Sequence, residues 1–344
     1  MSLHTKLKTN KFINYKTIFS ILISILGIWL GFKNFNFQEF AQALMDTNLF
    51  YLTLATLVII FSVYLRAIRW KYLVLPLKEV KIYSLFEAEM IGYFGNNVFP
   101  LKMGEILRAY SLGKKEKIPV AAAFGTIVNE RLLDVLVFII IMGVGVFFFP
   151  DLPEWVRKTG IIGIAILIIS IVSIIILNFK RHFIKKYWQK ILDKYQERKF
   201  FHNIISLVEG LLTLVKTPHF LWILLQSIVI WIVTISEFWF LGMCLNISFS
   251  LYDILLIFVV TSAVFAIPAA PGYIGTYHAG AIRILIFLGI NTAKAQAMAV
   301  IMHAVGFIAL TAIGLVYFLK YHITLEETKQ ISLREDKNRE HGQS

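Results

Sequence analysis

Long apolar stretches are the feature of this sequence that most limits how it can fold. They recur between residues 17 and 319, and a helix needs only about 20 apolar residues to cross the ~30 Å hydrocarbon core of a bilayer. Of the 344 residues, 58% are hydrophobic and 16% are charged, whereas soluble domains carry about 25% charged residues. The sequence therefore predicts an all-α polytopic membrane protein.

Charge and cysteine content narrow the function further. The formal net charge is +13, and in membrane proteins Lys and Arg concentrate in cytoplasmic loops. We therefore assign the excess to orientation in the membrane and to attraction of anionic lipid headgroups, and we expect no nucleic-acid partner. The single cysteine, Cys244, excludes an intramolecular disulfide framework and a cysteine-based metal site.

Six apolar segments are continuous and two are broken. The broken segments are 82–112, interrupted around Gly95-Asn96-Asn97 and Pro100, and 251–289, interrupted at Pro268 to Gly272. We interpret each broken segment as a re-entrant hairpin of two half-helices. Alternatively, each broken segment could form two full transmembrane spans. Both interpretations place every loop on the same side of the membrane, so the distribution of charge does not separate them. The length of 103–112 favours a hairpin, because this stretch is too short to span. The predicted transmembrane helices are 17–32, 49–65, 119–148, 160–179, 219–245 and 295–319.

Basic residues predict the topology. Residues 180–199 carry eight Lys or Arg and two acidic residues, with aromatic and aliphatic residues at i, i+4 spacing, a pattern typical of a basic amphipathic helix on a membrane surface. We expect a multi-pass protein of the cell (inner) membrane with both termini in the cytoplasm and an external loop at 149–159. The predicted cytoplasmic segments are 1–16, 66–81, 114–117, 180–216 and 320–344.

The order of segments repeats. Residues 17–148 give helix, helix, broken hairpin, helix, and residues 160–319 give the same order, with Pro100-x-x-x-Gly104 matching Pro271-x-x-x-Gly275 at the breaks. Three crossings in a unit place the second unit upside down, so the hairpin tips would meet near the midplane, as in transporters with inverted repeats. Chance resemblance between two helical triplets is the alternative.

Ionisable residues lie in segments predicted to be in the membrane, where charge is costly. Glu105 and Arg108 are i, i+3 neighbours on one helical face, and Glu130 and Asp134 share another face next to Arg131. Two interpretations stay open. These residues form buried structural pairs such as Glu105–Arg131 and Arg108–Glu130, or they line a polar cavity.

The second half-helix of each hairpin begins at the tip, near Lys102 and near Tyr273. Unpaired N–H groups and the helix dipole there favour an anion such as phosphate. Lys102, Arg108 and Arg283 would add positive charge. For His278 and His303 we expect polar contacts, with proton relay as the alternative, and Glu237 should face a cavity or a partner.

The run from Asn97 to Arg108, the Glu130-Arg131-x-x-Asp134 motif and Pro271-Gly272-Tyr-Ile-Gly275 resemble the flippase-like membrane region of lysylphosphatidylglycerol synthases. The resemblance covers about 15–320 and implies movement of a phospholipid or a polyprenyl-phosphate-linked lipid between leaflets. This chain departs from the family pattern at Tyr273, often a second glycine, and at His278, often acidic. The candidate residues of the headgroup path are Asn97, Pro100, Lys102, Gly104, Glu105, Arg108, Glu130, Arg131, Asp134, Pro271, Gly272, Gly275, His278 and Arg283.

Three functions compete. We expect a lipid translocase; the alternatives are a non-transporting membrane subunit and a lipid-modifying enzyme. An aminoacyl-lipid synthase would need a large soluble domain, and a membrane glycosyltransferase a sizeable external loop. No metal-ligand spacing, nucleotide-binding glycine loop or nucleophile elbow is present, so we expect no catalytic residues, no metal and no cofactor. The lipid, the direction and the oligomeric state stay open.

Overall fold

The computed structural model describes residues 15–33, 35–99, 103–149, 153–154, 156–165, 199–265 and 269–321. Every regular element within these ranges is helical, which confirms the all-α prediction. Residues 156–165 are helical, and Pro271–Tyr273 forms a short 3₁₀ turn. The remaining helices are α1 (Tyr15–Gly31), α2 (Phe37–Met45), α3 (Leu49–Val74), α4 (Ile82–Val98), α5 (Gly104–Glu116), α6 (Val120–Phe148), α7 (Lys199–Lys216), α8 (Phe220–Cys244), α9 (Leu251–Val264), α10 (Thr276–Phe287) and α11 (Thr292–Lys320).

Four of these helices, α3, α6, α8 and α11, are long and apolar enough to cross a membrane. The last three agree within a few residues with the predicted spans 119–148, 219–245 and 295–319. Helix α1 occupies the predicted span 17–32 but has only 17 residues. The structure describes the predicted span 160–179 only as far as residue 165.

The predicted end of the second span, at residue 65, is wrong. Helix α3 continues to Val74, and Arg66, Arg69 and Trp70 are buried on it. These residues continue the helix because their polar groups find partners inside the protein instead of in water. The helix ends before Pro76, whose nitrogen has no hydrogen to donate.

Both predicted interruptions are present. The first separates α4 from α5, and the second separates α9 from α10. The predicted position of the first is partly wrong, because Gly95, Asn96 and Asn97 belong to α4 and the break lies between Val98 and Gly104. At the second break the backbone takes left-handed torsion angles, with φ of 68° at Gly272, 58° at Tyr273 and 95° at Gly275. Glycine adopts such angles without a steric cost, so the two glycines allow the chain to turn before α10 starts.

Helix α2 was not predicted. Asn36 caps it, because its side-chain oxygen accepts hydrogen bonds from the N–H groups of Gln38 and Glu39, and its amide donates to the Glu39 carboxylate at 2.9 Å. This Asn-x-x-Glu spacing is typical of a helix start and could have been found in the sequence.

Helix α7 belongs to the predicted cytoplasmic segment 180–216, of which 180–198 lie outside the described residues. It packs closely on α6: a Cβ atom on Gly210 would lie 2.1 Å from the Ala122 carbonyl oxygen. The Asn129 amide donates to the carbonyl oxygens of Gly210 and Leu211, each at 3.0 Å. One face of α7 is therefore joined to the helical core.

The two halves of the chain are interleaved. Helices α3 and α8 run antiparallel, since the Asn48 N–H donates to the Cys244 carbonyl at one end and Arg69 bonds Ser227 near the other. Helix α4 likewise runs antiparallel to α11, with Asn97 bonded to Thr311 at 2.9 Å. These contacts hold the first break against the last helix.

The second break is held by the first helix. The Ser24 hydroxyl of α1 accepts from the Ala270 N–H at 2.9 Å. A Cβ atom on Gly275 would lie 2.1 Å from the Ser24 carbonyl oxygen, so only glycine allows this approach. Each broken segment thus packs on a helix from the opposite end of the chain.

Candidate functional site

Eight charged side chains from α3, α4, α5 and α6 form one connected cluster, which we call the ion-pair network. Four are arginines and four are carboxylates, so the formal charges cancel. Six of the eight are buried, and Glu105 and Arg131 are the two exceptions. The members are Arg66, Arg69, Glu89, Glu105, Arg108, Glu130, Arg131 and Asp134.

Arg108 lies at the centre of the network. Its two terminal nitrogens donate to the two carboxylate oxygens of Glu130 at 3.0 and 2.8 Å, and it also pairs with Glu89. The guanidinium carbon lies 3.8 Å from the centre of the Trp70 ring, whose indole N–H donates to Thr126 at 2.8 Å. Forked pairing and stacking on an aromatic ring together fix the guanidinium plane.

Two network arginines were not predicted as site residues. Arg69 is fully buried and donates to Asp134 at 2.8 Å and to the Ser227 hydroxyl at 3.0 Å. Arg66 bonds the other Asp134 oxygen at 3.2 Å. The sequence interpretation assigned both to a cytoplasmic loop because basic residues after an apolar run usually mark the end of a span.

Arg131 and Glu105 form the open edge of the network. Their side chains pair at 3.0 Å and are 47% and 26% exposed, respectively. Arg131 also donates to Asp134 at 3.2 Å, which connects this edge to the buried charges. The predicted structural pairs Glu105–Arg131 and Arg108–Glu130 are therefore both present, and Glu105 and Arg108 have different partners despite their i, i+3 spacing.

The two breaks meet beside this edge. A Cβ atom on Gly272 would lie 3.3 Å from the Asn97 carbonyl oxygen and 2.5 Å from the Phe307 ring. His303 holds the Gly272 carbonyl oxygen at 2.7 Å through Nε2. Tyr273 is close enough to Glu105 and Arg131 to interact with their charges. The second break and the end of α4 are therefore in direct contact, and the position of this contact in the membrane stays a prediction.

One backbone N–H at the start of each second half-helix, that of Gly104 in α5 and that of Gly275 just before α10, has a side-chain acceptor. The Gly104 N–H donates to the Asn96 side-chain oxygen at 2.9 Å, and the Gly275 N–H approaches His278 Nδ1 at 3.4 Å. The expectation that these N–H groups are unpaired is therefore wrong for these two donors. An anion at the tips would have to bind through side chains or through later N–H groups.

The other predicted site residues divide into three groups. Pro271 is half-buried at the second tip, and His278 is buried with its ring centre 4.8 Å from that of His303. Arg283 is exposed on α10 and takes no part in the ion pairs of the described residues. Pro100 and Lys102 lie outside the described residues.

Glu237 is buried on α8, with no hydrogen bond or ion pair to another described residue.

The described part of the chain contains no group of three His, Cys, Asp or Glu side chains placed to hold a metal ion. Four carboxylates do lie in the ion-pair network, but each is matched by an arginine at short range. The chemistry available at the site is therefore that of a neutral, internally paired polar surface with one exposed guanidinium.

The relatives found by comparison with known proteins share one description, UPF0104 membrane protein. A UPF0104 membrane protein of Methanocaldococcus jannaschii is 27% identical, over 88% of this chain and 94% of its own. Relatives with the same description from Methanothermobacter thermautotrophicus and Pyrococcus horikoshii are 22% and 25% identical, over 80% and 82% of this chain and 87% and 88% of their own. No solved structure gives a significant match.

The sequence model of the lysylphosphatidylglycerol synthase transmembrane region matches residues 17–314. That range contains the whole ion-pair network and both helix breaks. This chain is an integral membrane protein that belongs to the lysylphosphatidylglycerol synthase transmembrane family.

Proposed function

We propose that this protein moves a phospholipid or a polyprenyl-phosphate-linked lipid between the leaflets of the cell membrane. The headgroup would pass along the edge of the ion-pair network, beside the two helix breaks, while the acyl or prenyl chains stay in the bilayer. The protein would do no covalent chemistry on the lipid.

The exposure of Arg131 carries this proposal. Arg131 lies in α6, roughly 16 Å from the start of the helix at about 1.5 Å per residue, and the helix is 29 residues long. Nearly half of its side chain is not covered by protein. A charged group at this depth is costly in hydrocarbon and usually faces a water-filled path or a partner, and a lipid phosphate is an anion that could reach it from the bilayer.

The paired state of Arg131 suggests how a headgroup would bind. In the structure Glu105 and Asp134 occupy two sides of the guanidinium. A phosphate would replace Glu105 on the exposed side, while Asp134 stays bound to Arg66 and Arg69 on the buried side. The other three arginines keep their carboxylate partners, and the carboxylate that loses its arginine, Glu105, is 26% exposed at the open edge of the network and not fully buried.

The architecture that we propose has six transmembrane helices and two re-entrant hairpins, arranged as an inverted repeat. The antiparallel pairing of α3 with α8 supports it, since these helices hold equivalent positions in the two halves. So does the contact between the tips at Gly272 and Asn97. Transporters with inverted repeats bind their substrates at such discontinuous helices. Both termini would be cytoplasmic, as the basic segments predict.

Reconstituted protein provides the test. Liposomes carrying a fluorescent phosphatidylglycerol should lose outer-leaflet and inner-leaflet label to dithionite when the wild-type protein is present, and only outer-leaflet label without it. Arg131→Gln should reduce this movement at least tenfold. The matched control is Arg157→Gln, which removes an exposed arginine from the helical segment 156–165, outside the network.

Absence of movement with folded wild-type protein and each of several lipid classes would refute the proposal and favour a non-transporting subunit. Equal movement in Arg131→Gln and wild type would remove Arg131 from the path. Mass spectrometry of the recovered lipids should show them unchanged, and a modified lipid would instead favour an enzyme.

A further inference from the structure

Glu237 of α8 is a buried carboxyl group outside the ion-pair network. It has no hydrogen bond or ion pair to another described residue. Helix α8 is one of the four described helices that are long and apolar enough to cross a membrane. An ionisable side chain in such a helix is costly and usually belongs to a path for protons, ions or substrate.

The two halves of the sequence show that Glu237 holds an equivalent position to part of the network. A separation of 171 residues relates Pro100 to Pro271 at the breaks, and the same separation relates the first residues of α3 and α8. At this separation Glu237 corresponds to Arg66. The other seven network positions correspond to residues without charge, namely Phe240, Val260, Thr276, Ala279, Ile301, Met302 and Val305. The second half therefore has one ionisable group where the first half has eight.

Aromatic side chains connect Glu237 to the second helix break. Tyr277 of α10 is buried and lies close enough to Glu237 for the carboxylate to act electrostatically on its hydroxyl. The ring centre of Tyr277 is 5.2 Å from that of His303, whose Nε2 holds the Gly272 carbonyl oxygen at 2.7 Å. A change of charge at Glu237 therefore acts on the side chains that hold this break.

The surrounding helices supply no cation to Glu237. Arg66 and Arg69 of α3 contact α8 at least six residues before it, and both pair with Asp134 of α6. Of the titratable groups on these helices, Tyr277 is the one in the described residues that interacts electrostatically with Glu237. The others around it are Tyr51 of α3, Tyr252 and Asp253 at the start of α9, His278 of α10 and His303 of α11.

These surroundings favour a proton as the ligand of Glu237. A carboxylate without a counter-charge is unstable in an apolar interior, and such a group takes up a proton instead. A hard metal cation would need several further oxygen ligands. The described part of the chain offers no group of three side chains that could hold a metal ion.

We propose that Glu237 binds and releases a proton and that this proton crosses the membrane together with the lipid. The second part rests on the proposed lipid movement. With the proton bound, Glu237 and Tyr277 stay buried as in the structure. Release of the proton to water leaves a carboxylate that needs water or a cation beside it, so the protein must open next to the second break. One proton for each phosphate headgroup also makes the crossing electrically neutral, which removes the work against the membrane potential.

Infrared spectroscopy of the purified protein tests the proton site without measuring transport. A protonated carboxyl group has a carbonyl stretching band that an ionised carboxylate lacks. The difference spectrum between wild type and Glu237→Gln should contain this band at neutral pH and lose it as the pH rises. The matched control, Glu154→Gln, removes an exposed carboxylate, and its difference spectrum should lack the band. If Glu237→Gln does not fold, Glu237→Asp takes its place and should move the pH at which the band disappears.

Absence of the band from the Glu237→Gln difference spectrum at neutral pH would overturn the proton site. So would an unchanged midpoint in Glu237→Asp.

Liposomes with a pH difference test the coupling, with fluorescent phosphatidylglycerol and the dithionite assay. If one proton moves with each lipid, a difference of one pH unit should enrich the label up to about tenfold in the leaflet on the alkaline side. Glu237→Gln should give no enrichment, and Glu154→Gln should match the wild type.

Equal enrichment in wild type and Glu237→Gln would overturn the coupling, and so would a wild type that moves lipid without enrichment. In both cases the proposed lipid movement would stand. A wild type that shows the carboxyl band but moves no lipid would instead refute the proposed function, and with it the coupling, but not the proton site.

Discussion

Arg108 of α5 and Glu130 of α6 face each other through two parallel hydrogen bonds, of 3.0 and 2.8 Å, in a region where both side chains are at most 2% exposed. A charge pair removed from water stabilises a protein only when its geometry is good and its remaining donors are matched. Here Glu89 and the Trp70 ring contact other sides of the guanidinium, and only its Nε makes no hydrogen bond within the described residues. The pair therefore fixes the broken segment α4–α5 against α6.

Removing one member of this pair should be severe. Glu130→Gln leaves Arg108 and Arg69 with a missing counter-charge, and breaking a buried pair in this way costs about 3–5 kcal/mol. We expect a large fall in the melting temperature of the detergent-purified protein, measured by intrinsic fluorescence.

Glu154→Gln is the control for Glu130→Gln. It breaks an ion pair with Lys158 whose side chains are 80% and 69% exposed, and exposed pairs contribute about 1 kcal/mol or less. If Glu130→Gln melts at the same temperature as Glu154→Gln, the network does not hold the hairpin in place.

The pair between Glu105 and Arg131 should behave differently. Because Arg131 is half exposed, each single change to Gln should destabilise the protein by about 1 kcal/mol or less, and the double variant should melt within a few degrees of the wild type. Lipid movement should nevertheless fall in Arg131→Gln. A melting-temperature loss as large as that of Glu130→Gln would make the pair a structural element and not the edge of a path.

The sequence predicted this network in part. The pairs Glu105–Arg131 and Arg108–Glu130 followed from the cost of unpaired charge in hydrocarbon, which forces each carboxylate to find an arginine nearby. Arg66 and Arg69 were missed because their burial depends on Asp134, 68 and 65 residues further along the chain. The sequence did contain one indication that both arginines belong to helix α3. They are spaced i, i+3, and no proline interrupts the helix before Pro76.

Helix breaks were predictable for a local reason, and their partners were not. Proline and glycine change the backbone where they stand, so interruptions near Pro100 and at 268–272 could be recognised, although Gly95 to Asn97 are helical. The contact of Gly275 with Ser24, and of α4 with α11, joins residues more than 200 positions apart. Such contacts depend on the packing of the whole chain.

Glycine 104 should tolerate no side chain. A Cβ atom there would lie 1.9 Å from the Gly92 carbonyl oxygen and 2.5 Å from the Asn96 side chain, so Gly104→Ala should separate α4 from α5 and lower the melting temperature by many degrees. In Gly163→Ala the new atom meets only Ile139 side-chain atoms at 3.5 Å, an ordinary contact, and stability should be unchanged or slightly higher. Equal melting temperatures for the two variants would contradict the close packing of the break.

Cysteine labelling tests the proposed topology. In a Cys244→Ala background, which removes the buried native thiol, cysteine at Lys185 should react with a membrane-impermeant maleimide only after the membrane is opened. Cysteines at Glu154 and Asn246 should react in intact cells. These expectations follow from the distribution of basic residues, and labelling of Lys185→Cys from outside would rule out the inverted repeat.

The meeting point of the two breaks gives the most demanding prediction. Ile274 is 42% exposed next to Tyr273 and close to the contact between Gly272 and Asn97. If the headgroup phosphate passes between the tips, anionic phospholipid should slow the reaction of Ile274→Cys with a maleimide, whereas a lipid without phosphate should not. Leu101→Cys, at the other predicted tip, should be protected in the same way.

The control cysteine replaces Ile161, which is 54% exposed on the helical segment 156–165, and it should react equally in both lipids. The Gly104 N–H is already paired with Asn96, so protection must come from a phosphate held by side chains, above all Arg131. Adding Arg131→Gln to Ile274→Cys should therefore abolish the protection. Protection that survives this change, or equal protection by both lipids, would mean that the tips are structural plugs, and the path would then have to be sought along α8 near Glu237.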